Sequence, residues 1–139
     1  MEIVRPWIWC AVLASMAGVA WGDDRATIGE IEIVVLSSRD GCRIVMMSQH
    51  GDQVEPLALS GLCTLHRNEE GAVRQVSGPD GPIFLVEHSV AARDGSGDCL
   101  TNVQAVAVSE QGLVVAPNPA LVATCPPFRW DEVMFLGVF

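Results

Sequence analysis

Ala58-Leu59-Ser60-Gly61-Leu62-Cys63-Thr64-Leu65-His66-Arg67-Asn68-Glu69-Glu70 is echoed 62 positions later by Ala120-Leu121-Val122-Ala123-Thr124-Cys125-Pro126-Pro127-Phe128-Arg129-Trp130-Asp131-Glu132. Without a gap the two share Ala, Leu, Cys, Arg and the closing Glu, and Glu69 lies over Asp131. Working outward, Ser48-Gln49-His50-Gly51 parallels Ser109-Glu110-Gln111-Gly112. Arg39-Asp40-Gly41-Cys42 parallels Arg93-Asp94-Gly95, which reaches Cys99 after an insert. Self-similarity of this kind signals a repeated structural unit. Repeat halves would run 28–77 and 82–139 within a single β domain, 23–139. Each would carry a strand, an Arg-Asp-Gly turn, a Cys, two further strands and a second Cys.

The N-terminus predicts export. Arg5 precedes an uncharged run from Pro6 to Trp21, and Ala20-Trp21-Gly22 offers small residues where a signal peptidase reads. Residues 1–22 are therefore expected to be a signal peptide, cleaved after Gly22. The run is short for a membrane span, and no stable membrane insertion is expected after cleavage. Cys10 lacks the Leu-small-small sequence that would precede a lipoprotein cysteine.

Export gives the cysteines their meaning. Cys42, Cys63, Cys99 and Cys125 remain, and in an oxidising compartment four cysteines default to two disulfides with three connectivities. Duplication selects Cys42–Cys63 and Cys99–Cys125, one crosslink per half. No Cys-x-x-Cys pair favours zinc instead.

Between the cysteines the chain alternates short apolar runs with turn residues. Strands are predicted over 31–36, 43–47, 54–59, 62–66, 72–76, 83–87, 100–108, 113–116 and 121–124. Asp40-Gly41, His50-Gly51-Asp52 and Asn68-Glu69-Glu70-Gly71 read as turns. Pro56 marks an edge strand, and Ser77-Gly78-Pro79-Asp80-Gly81-Pro82 is the best boundary between copies. The expected fold is all-β: a small disulfide-stapled antiparallel sandwich or barrel. Residues 130–138 fit either strand or helix. A terminal Phe139 resembles outer-membrane barrel strands, but with no Tyr and one Trp the exported chain has no aromatic girdles. A soluble domain with a buried last strand is expected.

Charge narrows the partners. The net charge is −9, and the chain has no lysine. That disfavours nucleic acid and anionic lipid, which need a basic face, and admits a basic exported protein. Lysine-free, arginine-only basicity leans towards a bacterial periplasm; the expected location is periplasmic or secreted.

Candidate chemistry is sparse. Asp94-Gly95-Ser96-Gly97-Asp98 begins like a calcium loop, but Cys99 and Ala105 occupy its glycine and glutamate positions. Met46, Met47 and His50 suit Cu(I) by type, yet adjacent strand residues point to opposite faces. Glu87-His88-Ser89 has nucleophile and base types without implying adjacency in space. No serine-hydrolase elbow, zinc-protease motif or phosphate loop occurs, and no cofactor is expected. Phe128, Arg129 and Trp130 concentrate residue types that dominate interfaces, while core plugging by Phe128 and Trp130, with Arg129 paired to Asp131 or Glu132, is the competing reading. The sequence thus points to an exported non-catalytic binding module, a class that includes inhibitors of periplasmic or secreted enzymes. The alternative is a small periplasmic hydrolase or metal-handling protein using His50, His66 or His88.

Overall fold

Ser38-Arg39-Asp40-Gly41, Ser48-Gln49-His50-Gly51 and Ser109-Glu110-Gln111-Gly112 each reverse the chain in the same way. The serine hydroxyl donates to the glycine carbonyl, at 3.1, 2.9 and 3.5 Å respectively. It also accepts the amide two residues on, at 3.3, 3.3 and 3.1 Å. A short polar side chain thereby satisfies backbone groups at the corner. Gly41, Gly51 and Gly112 have positive φ.

These corners belong to a computed structural model that describes residues 22–129 together with 131, 137 and 139. Among the described residues the strands are β1 (Gly22–Ile28), β2 (Ile31–Ser38), β3 (Gly41–Ser48), β4 (Gly51–Pro56), β5 (Thr64–Leu65), β6 (Gln75–Gly78), β7 (Gly81–Ala91), β8 (Cys99–Ser109), β9 (Gly112–Val115) and β10 (Ala120–Val122). One sheet has the order β1-β2-β3-β4. The other runs β10-β8-β7-β5, with β6 added to β7 and β9 to β8. All pairings are antiparallel. The architecture is sandwich-like, not a closed barrel.

Period-2 alternation decides which residues meet between the sheets. Ile33 and Val35 of β2 and Cys42, Ile44 and Met46 of β3 pack against Phe84, Val86, Val106 and Val108 of β7 and β8. Met47 projects from the opposite face to Met46, as adjacent strand residues must. Strands β7 and β8 are buried on both faces. Their second face holds Ile83, Leu85, Val103, Ala105 and Ala107 under Ala116 and Phe128. This is why they read as nearly continuous apolar runs.

The sheets change over at Leu57–Cys63. Gly78 pairs with Gly81, so Pro79-Asp80 is a two-residue hairpin loop between β6 and β7. Gly81 suits it: φ is 139°, and a Cβ there would collide with the Val108 carbonyl. Strand β4 is an edge, as Pro56 implied. Beyond it Leu57 and Leu59 still bond the Cys42 backbone, at 2.9 and 3.1 Å. The Ala58 amide between them is taken by the Gln104 side chain at 2.8 Å, and Gln104 donates to the Ala116 carbonyl at 2.7 Å. The expected 72–76 strand is displaced to Gln75–Gly78, with only an isolated Arg67–Val73 bridge before it. Strand β1 falls within a segment for which no strand was expected. Of the expected C-terminal element, residues 130–138, only 131 and 137 are described, and leader residues 1–21 lie outside the described residues.

The disulfides are Cys42–Cys63 and Cys99–Cys125, with sequence separations of 21 and 26. Each ties the first residues of a central strand to the segment that returns beside it. By loop closure each contributes about 3 kcal/mol, and their presence fits an oxidising environment.

Candidate functional site

Strand β5 sets the site. Thr64 pairs with Glu87 and Leu65 with Val86, and Leu65 enters the core between the sheets. The next residue, His66, must point to the other face, where Glu87 also points. Its Nδ1 lies 2.8 Å from Glu87 Oε2. Phe128 closes over the imidazole, with ring centroids 4.5 Å apart at 30°. His66 is 0 % and Glu87 5 % exposed.

Arg67 follows and anchors the N-terminal strand. Its Nη2 donates to Asp24 Oδ1 at 2.6 Å and to the Arg25 carbonyl at 3.0 Å, and its Nη1 donates to the Gly71 carbonyl at 3.0 Å. The other Asp24 oxygen accepts the Leu65 amide at 2.8 Å. These bonds are charge-assisted and directional, and they fix β1 beside β5.

Two hollows flank the segment 126–129, which contains a cis Pro126-Pro127 bond. One, of about 680 Å³, lies between β1, β5 and Pro126-Pro127, with Thr64, Arg67 and Glu87 among its walls. The other, of about 350 Å³, lies between Arg74, Phe128 and Arg129. Asn68, Glu69 and Pro127 line both. Arg129 reaches Glu69 at 3.6 Å, with its side chain 88 % exposed.

The three expected binding residues therefore have different settings. Phe128 is buried and plugs the second core while its edge lines a hollow. Arg129 is presented to solvent and pairs with Glu69. Trp130 lies outside the described residues. Sequence reasoning missed the partnership of His66 with Glu87, and of Asp24 with Arg67. Both depend on strand register, which no local motif encodes.

The histidines do not come together. His50 is exposed at the β3–β4 corner. His88 Nδ1 donates to the Leu62 carbonyl at 2.8 Å, and its ring lies where a Gly61 Cβ would be. Within Glu87-His88-Ser89 the middle residue faces away from its neighbours. Ser89 Oγ bonds Thr101 Oγ1 at 2.8 Å instead. In the calcium-like loop, Asp94 Oδ1 accepts the Ser96 amide and hydroxyl, at 3.0 and 2.6 Å. Those bonds hold the Asp94 carboxyl below the usual carboxylate range. Among the described residues no group of three His, Cys, Asp or Glu side chains is placed to hold a metal ion.

No protein-family model, curated protein or solved structure matches this chain.

Proposed function

We propose that the protein is a binding module that works outside the cytoplasm, in a periplasm or secreted, and recognises a basic exported protein through the surface around Pro127 and Arg129. One observation carries the reading: the single His–carboxylate pair found among the described residues is sealed beneath Phe128, while the hollows beside it stay open to solvent. A general base must reach the proton it removes, and a fully buried imidazole does not touch a molecule in either hollow. Arg129 and the rigid Pro127 are presented instead, beside Asn68 and Glu69. The acid surplus selects against polyanions and steers cationic partners. Inhibition of a periplasmic or secreted enzyme is the role this surface suits.

The test uses oxidised protein as bait in the exported fraction. A defined partner retained by the native surface and lost on Arg129→Glu supports the reading; equal retention by both overturns it. The hydrolase reading draws on the 2.8 Å His66–Glu87 contact. Turnover of an ester or glycoside abolished by His66→Gln, with the fold intact by circular dichroism, would establish it over the binding module.

We also infer that the chain is a duplication. Strands β1-β2-β3-β4 and β6-β7-β8-β9 are two four-stranded meanders connected in the same order. In each, a cysteine opens the third strand, a Ser-x-x-Gly corner leads into the fourth, and the second cysteine follows it. The copies then begin at β1 and β6, earlier than residues 28 and 82. An experimental structure aligned on Cys42 with Cys99 and Cys63 with Cys125 tests this, and divergent strand directions would refute it.

A further inference from the structure

The outward face of the first sheet is apolar at its centre. Alternation sends Ile33, Val35, Cys42, Ile44 and Met46 into the core. Leu36 of β2, Val45 and Met47 of β3, and Val54 and Pro56 of β4 therefore point away from it. Leu36 and Val54 are 38 % and 53 % exposed, Pro56 is exposed, and Val45 and Met47 are half-buried. Register sets this face in three rows across the strands. Val45 and Val54 share the middle row with Arg25 and with Val34, which its neighbours already cover. Leu36, Arg43 and Pro56 form the row on one side, next to Asp23; Glu32, Met47 and Asp52 form the row on the other. An antiparallel sheet with one face in the core ordinarily turns polar residues to water on its other face. Arg25 is held by Asp23 and Glu32, at 3.1 and 3.0 Å. The side chains of Arg43 and Asp52 make no ion pair or hydrogen bond among the described residues. They stand in opposite outer rows, about 13 Å apart along the strands, too far to meet within one chain.

We propose that this face packs against the same face of a second copy, forming a two-fold dimer. A two-fold axis laid across the strands at Val45 interchanges the outer rows. The valines of the middle row then meet their own counterparts. Arg43 of each copy comes over the row that carries Asp52 and Glu32 of the other, and so finds the carboxylate it lacks, twice over by symmetry. Sheets stacked face to face lie about 10 Å apart, a gap that an arginine reaching towards an aspartate bridges. An axis laid along the strands would instead set Arg43 on Arg43, so the charges select one of the two arrangements. They also select the occupant. The chain carries a net charge of −9, but this face sets Arg25 and Arg43 against Asp23, Glu32 and Asp52. It therefore neither repels a second acidic copy nor draws a strongly basic partner or a polyanion. The face spans about 15–20 Å each way, less than a standard interface, so the dimer is a weak one. The inference uses neither Arg129 nor the hollows beside Pro127, and it stands apart from the binding-module reading.

Sedimentation equilibrium of the oxidised protein, from about 10 µM to about 1 mM, tests the proposal. Expected is a monomer–dimer equilibrium with a Kd of about 100 µM, the strength of a small interface. Val54→Asp sets two carboxylates against each other in the middle row and should weaken the dimer at least about tenfold. Arg43→Asp and Asp52→Arg, taken singly, should do the same, since each replaces two attractive contacts by two repulsive ones. Arg43→Asp/Asp52→Arg exchanges the charges and should return the Kd to within about threefold of the parent. All three side chains are exposed, so the fold is retained, and circular dichroism checks it. An unfolded variant would also sediment as a monomer, so the double exchange carries the decision: rescue requires an intact fold. A protein that stays monomeric at about 1 mM overturns the proposal. So does a dimer that Val54→Asp leaves intact, because it joins through another surface. So does a double exchange that fails to restore what each single reversal removes.

Discussion

Gln104→Leu separates the polar stitching of this fold from its apolar packing. Gln104 is 2 % exposed in the middle of Val103-Gln104-Ala105-Val106, an otherwise apolar stretch of β8. Its amide oxygen accepts from Ala58, where the chain leaves the first sheet, and its amide nitrogen donates to Ala116, where β9 gives way to β10. Leucine has nearly the same volume, so no cavity opens and the desolvation of a buried amide is relieved. The two lost bonds are worth about 1 kcal/mol each. The Ala58 amide is near solvent and can turn to water. The Ala116 carbonyl belongs to a residue 1 % exposed, and an abandoned buried acceptor adds about 1–3 kcal/mol. Set against a gain of about 1 kcal/mol from burying the leucine side chain in place of the amide, the net loss is about 2–4 kcal/mol. Urea unfolding of the oxidised protein at fixed pH measures it as a lower midpoint at unchanged slope. Gln104→Glu sharpens the test. Above neutral pH its carboxylate faces the Ala116 carbonyl without a proton to donate, and burial raises its folded pKa above the unfolded value. The penalty is therefore full at high pH and falls away as pH drops through the folded pKa, where the protonated acid regains a donor. A Gln104→Leu change within about 0.5 kcal/mol of the parent, the scatter expected of neutral surface substitutions, would refute the reasoning.

The crosslinks should differ. Cys42 and Cys63 are each 2 % exposed, so Cys42→Ala/Cys63→Ala should cost about 1–2 kcal/mol more than Cys99→Ala/Cys125→Ala, because lost core contacts add to loop entropy; thermal unfolding compares them. Under dithiothreitol the half-exposed Cys99–Cys125 should open first, read by timed alkylation and mass spectrometry. Gly81→Ala, with positive φ and the Val108 carbonyl in the way, should lose about 2–4 kcal/mol. Gly51→Ala, with φ 113° and nothing within 4 Å, should lose about 1–2 kcal/mol from backbone strain alone. Ser96→Ala should raise the Asp94 pKa towards its ordinary value, seen by ¹³C titration of the carboxyl.

What the residues disclosed and what they hid divide along physical lines. Alternation and turn chemistry are local, so most strands, the edge at Pro56 and the Ser-x-x-Gly corners could be read directly. Cysteine count and export could be argued from composition. Strand β1 was missed because Asp23-Asp24-Arg25 looks like solvated chain; its alternating Asp24, Ala26 and Ile28 face the rest of the protein only because β2 lies alongside. Pro79-Asp80 reads equally as a linker or a hairpin, since proline and glycine break a chain either way, and only the pairing of Gly78 with Gly81 decides. The site was least legible. His66 meets Glu87 through the β5–β7 register, 21 residues apart. A lone glutamine inside an apolar strand was the one local clue to buried polar stitching, and it points to structure before function.

That stitching has a consequence for how the two meanders hold together. Both disulfides act within short spans of 21 and 26 residues, so neither joins one meander to the other. The shared apolar core does so, with polar bonds of longer reach beside it. Gln53 of β4 both donates to and accepts from the Leu113 backbone of β9, and Gln104 of β8 holds Ala58 just beyond β4. Each such bond carries about 1 kcal/mol, or up to about 3 kcal/mol where a charge takes part, against the covalent permanence of the crosslinks. The seam between the meanders therefore rests on core packing and a few polar bonds, without a covalent tie.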